Sequence, residues 1–472
     1  MTLVVETPVE LATNRGQIRP QYVASSQKGT PQLLPLDAGE QYRFGFSMDA
    51  CVGCHSCEVA CAEQNGLPPT VAWRRVGEIE GGEFPAARRF HLSMSCNHCL
   101  EPACLEGCPT NAYVKLDNGV VAQHADDCIG CQYCTWNCPY NVPAFQPDRR
   151  IVTKCDMCLP RLDAGSAPAC VAACPTHAIT VEKVRVDEWR ADHSQADAPN
   201  LPPSGLTLST TRIELPRDVP LDTFAASDWN LRPEHPHSPL VWLTMLTQVA
   251  LGVAATASTT GHWMVAAGLA GLALLIAPAH LGRPGVAWKA LRNLRRSWLS
   301  REVAAFVLAF VLASAAVVFG PARPVAVLAA AAGVYASARL YIVPGRPAWN
   351  TPLTVVSFFA TGLACGPLVT GHPAVAAVGL AIQLAALGVN LLRLGRHDDQ
   401  AWWGVVWLYL RWFRSWTALR VVLAVAAIGL AGAGAPWPAL ALALGGELIG
   451  RWLFFVTVVP LNMPGSFWRG SR

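Results

Sequence analysis

The pattern of apolar and polar positions divides this 472-residue chain in two. Lys, Arg, Asp and Glu are spread at ordinary density up to about Glu234 and become sparse beyond it. A bilayer core of about 30 Å takes about 20 apolar residues of helix to cross. Eight stretches of the second half reach that length: 238–257, 262–280, 303–320, 323–342, 352–370, 373–392, 417–434 and 437–460. A water-exposed front followed by an all-α, polytopic membrane domain is therefore expected. Composition sets the boundaries: a polar leader over 1–40, a compact unit over 41–185, and a Pro-, Ser- and Asp-rich domain end and linker over 186–236. The membrane part follows over 237–465, with a cytoplasmic tail over 466–472.

Charge in the connections orients the helices. Arg283, Lys289, Arg292, Arg295, Arg296 and Arg301 crowd one connection, and Arg396, Arg411 and Arg414 another, with Arg469 and Arg472 in the tail. The alternate connections "ASTTGH", "TGHP" and "GAPWP" carry almost no charge. Positive residues stay inside, so both termini are expected in the cytoplasm. The opening "MTLVVETPVELATNRGQ" has neither a long apolar export run nor a twin-arginine pair, which agrees with that side. Trp263, Trp288, Trp298, Trp402, Trp403, Trp407 and Trp437 suit the membrane–water interfaces. The chain is 52% hydrophobic and 14% charged, well under the usual charged share of about 25%. Its net charge of +4 offers no nucleic-acid surface, because the late basic residues sit between apolar spans.

Cysteine changes the picture of the front. Sixteen of the 17 cysteines fall in four quartets. These are Cys51, Cys54, Cys57, Cys61; Cys96, Cys99, Cys104, Cys108; Cys128, Cys131, Cys134, Cys138; and Cys155, Cys158, Cys170, Cys174. The first and third share the spacing C-x2-C-x2-C-x3-C, and the other two stretch one gap. Three end in Cys-Pro, whereas Ala62 replaces the proline in the first. Disulfides are rare in a reducing cytoplasm, and zinc closes four ligands into one tetrahedron without needing a Cys-Pro tail. Thiolates at every third residue wrap three corners of a cubane, and the fourth cysteine reaches a neighbouring cluster. Four complete quartets imply four 4Fe–4S clusters. Spacing alone leaves two arrangements open, sequential pairing of quartets and nested pairing.

The stretches "CVGCHSCEVAC", "CNHCLEPACLEGCPT", "CIGCQYCTWNCPYN", "KCDMCLPR" and "ACVAACPTHAI" resemble the four-cluster subunit of the dimethyl sulfoxide reductase family of molybdopterin oxidoreductases. The resemblance covers residues 44–180 and implies a double ferredoxin-like α+β fold with nested pairing. One cluster would take Cys51, Cys54, Cys57 and Cys174, and its neighbour Cys61, Cys155, Cys158 and Cys170. The inner unit would take Cys96, Cys99, Cys104 and Cys138 for one cluster, and Cys108, Cys128, Cys131 and Cys134 for the other. By the same resemblance the first cluster faces a catalytic subunit and the last faces the membrane.

The second half resembles the eight-helix anchor subunit of that family, through "PLVWLTMLTQ" (239–248), "HLGRPGVAWKALRNLRRSWLSRE" (280–302) and "RLYIVPGRPAWNT" (339–351). The resemblance implies a quinone site using His280 and Glu302. A family arginine falls on Val286 here, so either Arg283 substitutes for it or the site differs from the family's. Independently, quinol oxidation releases two protons with two electrons, and an imidazole and a carboxylate near an interface can shuttle them. His262, His280 and His372 lie at helix ends and give no facing pair in the interior, so no haem is expected. Glu447 and Arg451, four residues apart in the last span, are expected to form a mutual ion pair. Cys365 reads as a small buried apolar residue.

Together these readings imply an electron-transfer and membrane-anchor subunit that links menaquinone or ubiquinone to a separate catalytic molybdopterin subunit. Nothing in this chain would hold the molybdenum cofactor. Quinone reduction, as in a sulfite dehydrogenase, is the expected direction, and quinol-driven S-oxide or N-oxide reduction is the alternative. A redox-driven proton-translocating complex and a purely structural anchor are the readings from other classes.

Overall fold

The computed structural model describes residues 22–23, 32–33, 35–217, 219, 224–227, 231–397 and 399–461. The expected leader lies largely outside the described residues and the expected tail wholly outside them.

Small ladders joined by cysteine-bearing loops make up the front. Strands β1 (Tyr22–Val23) and β2 (Gln32–Leu33) pair with each other. A three-stranded sheet of β3 (Glu40–Ser47), β10 (Ile179–Arg185) and β11 (Arg212–Glu214) has the order β10-β3-β11. Between them in the chain come the hairpin β4 (Arg75–Gly81)/β5 (Arg88–Met94), extended by β12 (Ala225–Ala226), and the hairpins β6 (Tyr113–Lys115)/β7 (Val121–Gln123) and β8 (Ala144–Gln146)/β9 (Ile151–Thr153). The β3–β10 register sets Phe46 opposite Ile179 and Phe44 opposite Val181, all four buried. Such cross-strand apolar pairs fix a sheet against slippage. The same register joins Ser47 N–H to Ala178 O at 2.9 Å. It therefore brings the loop after β3, which starts the first quartet, against the loop before β10, which ends the fourth.

Short helices follow the loops: α1 (Ser56–Gln64), α2 (Ala103–Gly107), α3 (Tyr133–Asn137), α4 (Leu159–Asp163), α5 (Ala169–Ala172) and α6 (Val186–Ala191). The residue before the second cysteine of every quartet has positive φ: Gly53, His98, Gly130 and Met157. So does the residue three places after each Cys-Pro cysteine: Asn111, Asn141 and His177. The quartets are thus one backbone motif used four times. In the first, Ala62 lets α1 run on for 9 residues, whereas α2 and α3 stop after 5 before their Cys-Pro. Proline lacks the N–H that a continuing helix needs.

Much of the stretch expected as a domain end and linker is folded onto this unit. Trp189 of α6 is buried and donates from Nε1 to Ser209 O at 2.8 Å, and β11 runs parallel to β3.

Among the described residues, the back half contains eight helices long and apolar enough to cross a membrane. They are α7 (Ser238–Ala255), α8 (Thr260–Ile276), α9 (Trp298–Val318), α10 (Ala322–Tyr341), α11 (Pro352–Val369), α12 (Pro373–Leu394), α14 (Arg414–Gly432) and α15 (Pro436–Val456). Helix α13 (Gln400–Trp407), "QAWWGVVW", continues through a π turn in what reads from sequence as a connection. Helices α7–α10 pack around one another, and α11, α12, α14 and α15 form a second group. The groups meet where α7 crosses α11. A Cβ on Gly252 would collide with the Gly362 carbonyl, and one on Gly366 with the Gly252 backbone, so the two main chains touch directly.

The expected ion pair between Glu447 and Arg451 is not formed. Glu447 Oε2 accepts from Thr361 Oγ1 (2.6 Å) and Gln383 Nε2 (2.7 Å). Arg451 turns the other way, donating to Gln248 Oε1 (2.7 Å) and Thr361 Oγ1 (3.2 Å) and stacking 4.1 Å over the Phe358 ring. Neutral hydroxyls and amides from three neighbouring helices solvate both charges better than one contact along a helix face. Cys365 is fully buried among alanines and leucines of the second group.

Candidate redox sites

Sixteen thiols gather in four groups that cut across the order of the chain. Burial pushes Cys51 up to about 11, with Cys57, Cys174 and Cys54 adding to it. Cys61 is pushed up to about 12 by burial and by Cys170 and Cys158, and Cys155 is raised by burial, Cys61 and Cys170. Cys104 is buried beside Cys96, Cys138 and Cys99, and Cys134 beside Cys131, Cys128 and Cys108. Such buried, mutually repelling thiols are poor thiolates by themselves. They become good ones once a polynuclear metal centre supplies the counter-charge.

The wall of one cavity shows what would fit. Cys96, Cys99, Cys104 and Cys138 ring it, and the rest of the lining includes Ala103, Val121 and Tyr140. Among the described residues, no group of three or more His, Cys, Asp or Glu closes tightly enough for a single ion. Four sulfurs spread around an otherwise mostly apolar hollow suit a cubane instead. Donors point at these sulfurs: Thr207 Oγ1 to Cys99 (3.1 Å), Tyr113 OH to Cys134 (3.3 Å), and the N–H groups of Ala112 to Cys108 and Met157 to Cys155 (both 3.3 Å). Hydrogen bonds to cluster sulfur stabilise the more negative, reduced state and raise the potential.

Two buried cations stand between the groups. Arg74, only 3% exposed, lies among Cys170, Cys57, Cys155 and Cys61 and donates to Ser93 Oγ (3.0 Å) and Ser95 Oγ (2.9 Å). Lys154 lies among Cys96, Cys104 and Cys155; burial lowers it, but these sulfurs outweigh that and hold it above its usual value. His98, fully buried, brings Nε2 within 3.9 Å of Cys155 Sγ. The cysteine spacing gave no signal for Arg74 or His98; Lys154 announced itself only by preceding Cys155.

The inner unit is docked on the anchor through its loop carbonyls. Asn293 Nδ2 donates to Cys108 O (2.8 Å), Ser297 Oγ to Gly107 O (2.8 Å), and the N–H groups of Gly282 and Arg283 to Gly130 O (3.2 Å) and Ile129 O (3.0 Å). Arg346, 1% exposed, reaches Thr135 O (3.2 Å) and Asn141 Oδ1 (2.8 Å). Lys289 and Arg292 both bind Asp127. The motifs 280–302 and 339–351 thus form the seat for the loops carrying Cys108 and Cys128–Cys138.

A cavity of about 340 Å3 opens beneath that seat. Its walls are mostly apolar, from Leu243, Leu274, Phe306 and others, with His280, Glu302, Tyr133 and Tyr341 as polar members. Cys131 and Trp136 of the cluster loop form part of the same wall. His280 Nδ1–H donates to Ala277 O, which leaves Nε2 available to accept. Arg283 does not line the cavity; its guanidinium binds the carbonyls of Ala125 (3.1 Å), Asp126 (3.5 Å) and Cys128 (3.3 Å).

These sites define an iron–sulfur electron-transfer module built onto a multi-pass membrane anchor. Residues 87–184 match the 4Fe-4S dicluster domain family, and residues 245–378 match the family of the DMSO reductase anchor subunit. One chain of the anaerobic dimethyl sulfoxide reductase of Haemophilus influenzae is 38% identical over 178 residues, covering 36% of this protein and 86% of that relative. The present polypeptide belongs to the dimethyl sulfoxide reductase family, with its iron–sulfur and anchor parts in one continuous chain. The equivalent component of the Escherichia coli anaerobic dimethyl sulfoxide reductase is 38% identical over 166 residues, 34% of this protein and 80% of that relative. A subunit of the sulfite dehydrogenase of Allochromatium vinosum is 37% identical over 155 residues, 28% of this protein and 65% of that relative.

Proposed function

We propose that this chain conducts electrons between the membrane quinone pool and a separate molybdopterin oxidoreductase on the cytoplasmic side. Four 4Fe–4S clusters would be held by Cys51, Cys54, Cys57 and Cys174; by Cys61, Cys155, Cys158 and Cys170; by Cys96, Cys99, Cys104 and Cys138; and by Cys108, Cys128, Cys131 and Cys134. When bound, such clusters supply one-electron transfer without proton chemistry of their own. Arg74 and Lys154 offset negative charge between successive groups, and the sulfur-directed donors tune each step. Arg283 acts in docking rather than at the quinone.

The observation that carries this reading is the shared wall. The cavity holding His280 and Glu302 is also lined by Cys131, so a quinone ring there would sit beside the last ligand loop. Its size and mostly apolar lining with a few convergent polar groups are those of a small-molecule site. His280 Nε2 and the Glu302 carboxyl would hold and move the protons of the quinone oxygens.

The likeness to the sulfite dehydrogenase subunit and the basic connections on the cluster side favour quinone reduction in a cytoplasm-facing complex. The stronger likeness to the dimethyl sulfoxide reductase chains supports the opposite direction as the second reading. The test is quinone-driven reoxidation of the reduced, anaerobically purified complex. Glu302→Gln and His280→Ala should each slow it at least about 100-fold with iron content unchanged. Wild-type rates in both variants would make the back half a purely structural anchor.

A further inference from the structure

The segment entering α7 carries two histidines that the cysteine and helix patterns do not explain. His237 stands at the N-terminus of α7 with φ of 45°, in the left-handed region. That conformation is costly for a side chain with a Cβ. It turns the ring inward, where it meets Trp136 edge-on at 4.9 Å and Phe455 at 6.2 Å. Trp136 is itself a wall of the cavity that holds His280. The segment is pinned in place, since Glu234 N–H bonds Val456 O at 3.0 Å.

His235 continues the line outward. Its ring lies 5.2 Å from that of His237 and is exposed. Its Nδ1 accepts from the His237 backbone N–H at 3.2 Å. A neutral His235 therefore carries its proton on Nε2, the nitrogen left for water. The groups that act on His237 are its own burial first, then His235 and His280, and together they hold it down to about 3. A half-buried imidazole against aromatic rings does nothing for packing that phenylalanine would not do better. What it adds is a nitrogen that accepts and another that donates.

We propose that His235 and His237 form a proton relay between the cavity and the water on the cluster-domain side. The proposal rests on the quinone reading above and deepens it. Reduction of the quinone follows Q + 2e− + 2H+ → QH2, the electrons arriving through the iron–sulfur chain and the protons from bulk water. Nε2 of His235 already carries a proton. Each transfer therefore has that ring leave the His237 N–H, take a proton from water on Nδ1 and release the Nε2 proton to His237, which takes it on one nitrogen while releasing another. It then passes through cavity water to His280 Nε2 and on to a quinone oxygen. Quinol oxidation runs the same steps backwards. The relay solves a problem of burial. Electron and proton meet at one site, yet the seat of the cluster unit covers that site from the aqueous side.

The experiment uses the purified, reduced complex mixed with menadione in H2O and in D2O, following reoxidation by cluster absorbance. His237→Phe keeps the ring against Trp136 and removes the exchangeable proton. It should slow reoxidation at least about tenfold and enlarge the solvent isotope effect, with iron content and menadione binding unchanged. His237→Gln, which still donates and accepts, should restore part of the rate. His235→Ala, on an exposed residue, gives the same readout should the Phe variant lose iron. Wild-type rate and isotope effect in both the Phe and Ala variants would overturn the relay alone. Failure of wild-type complex to be reoxidised by any quinone would overturn the quinone reading and the relay with it.

Discussion

The side-chain amide of Asn293 donates to the main-chain carbonyl of Cys108 at 2.8 Å. One residue lies in the connection between two membrane helices, the other in a cysteine quartet. Ser297 and Ser300 do the same for Gly107 O and Pro109 O, so three successive carbonyls of one loop rest on one face of the anchor. Both members of the Asn293 bond are buried. Asn293→Ala leaves that carbonyl without its partner, at a cost of about 1–3 kcal/mol. Thermal unfolding followed through cluster absorbance should shift down by several degrees, with the iron content of the folded protein intact.

Cysteine variants should separate ligands from packing. Cys131→Ser removes one thiolate beside the cavity and should lower the iron content by about four atoms per chain, with loss of quinone-driven reoxidation. Cys365→Ala should leave iron and turnover unchanged, because Cys365 is buried among apolar side chains of the second helix group. Iron analysis of anaerobically purified protein checks both. Equal iron in wild type and Cys131→Ser would remove Cys131 from the ligand set.

Glu447→Gln tests whether the buried polar cluster of the second helix group has a redox role. It takes a negative charge away from Arg451, which feels both Glu447 and Arg420. Removing one member of such a buried set costs about 3–5 kcal/mol, and the melting temperature should fall accordingly. Turnover with quinone should not change, because the recess lined by Glu447 and Arg451 shares no lining residue with the cavity at His280. Lost turnover in a folded variant would instead favour proton movement through the second group.

A third buried charge set should give the front half its acid sensitivity. Burial alone would raise Glu182, but Arg212 and Arg43 outweigh it and hold the carboxyl below 4.5. A depressed folded value means the ion pairs stabilise fully above the unfolded value and lose their contribution as pH falls through the folded one. Glu182→Gln should therefore lower stability by about 3 kcal/mol at pH 7. The gap to wild type should stay constant down to about pH 5 and narrow only below 4.5, as checked by chemical denaturation across that range.

The quartets and the spans were legible because each is a local signal, a spacing in one case and a length of apolar chain in the other. Which quartets lie near one another was not, since spacing is blind to the register of β3 and β10, which brings together Ser47 and Ala178, 131 positions apart. Arg74 and His98 escaped for the same reason: their neighbours come from several distant loops. Glu447 and Arg451 were misread because spacing on one helix ignores what adjacent helices offer. Thr361 turns out to serve both, donating to one and accepting from the other. Helix α13 was hidden by the arginines on either side of it, Arg396, Arg411 and Arg414, which made the stretch look like a connection.

The seat between loop and anchor joins hydrogen bonds to carbonyls and a few exposed ion pairs to an apolar contact, in which Ile129, Tyr133 and Trp136 of the cluster loops share one core with Leu240, Tyr341 and Trp349 of the anchor. Continuity of the chain from β11 into α7 adds to this contact. It keeps the two halves at a high effective concentration whatever the dilution of the cell. Docking is then an intramolecular step that does not need the affinity two separate proteins would require.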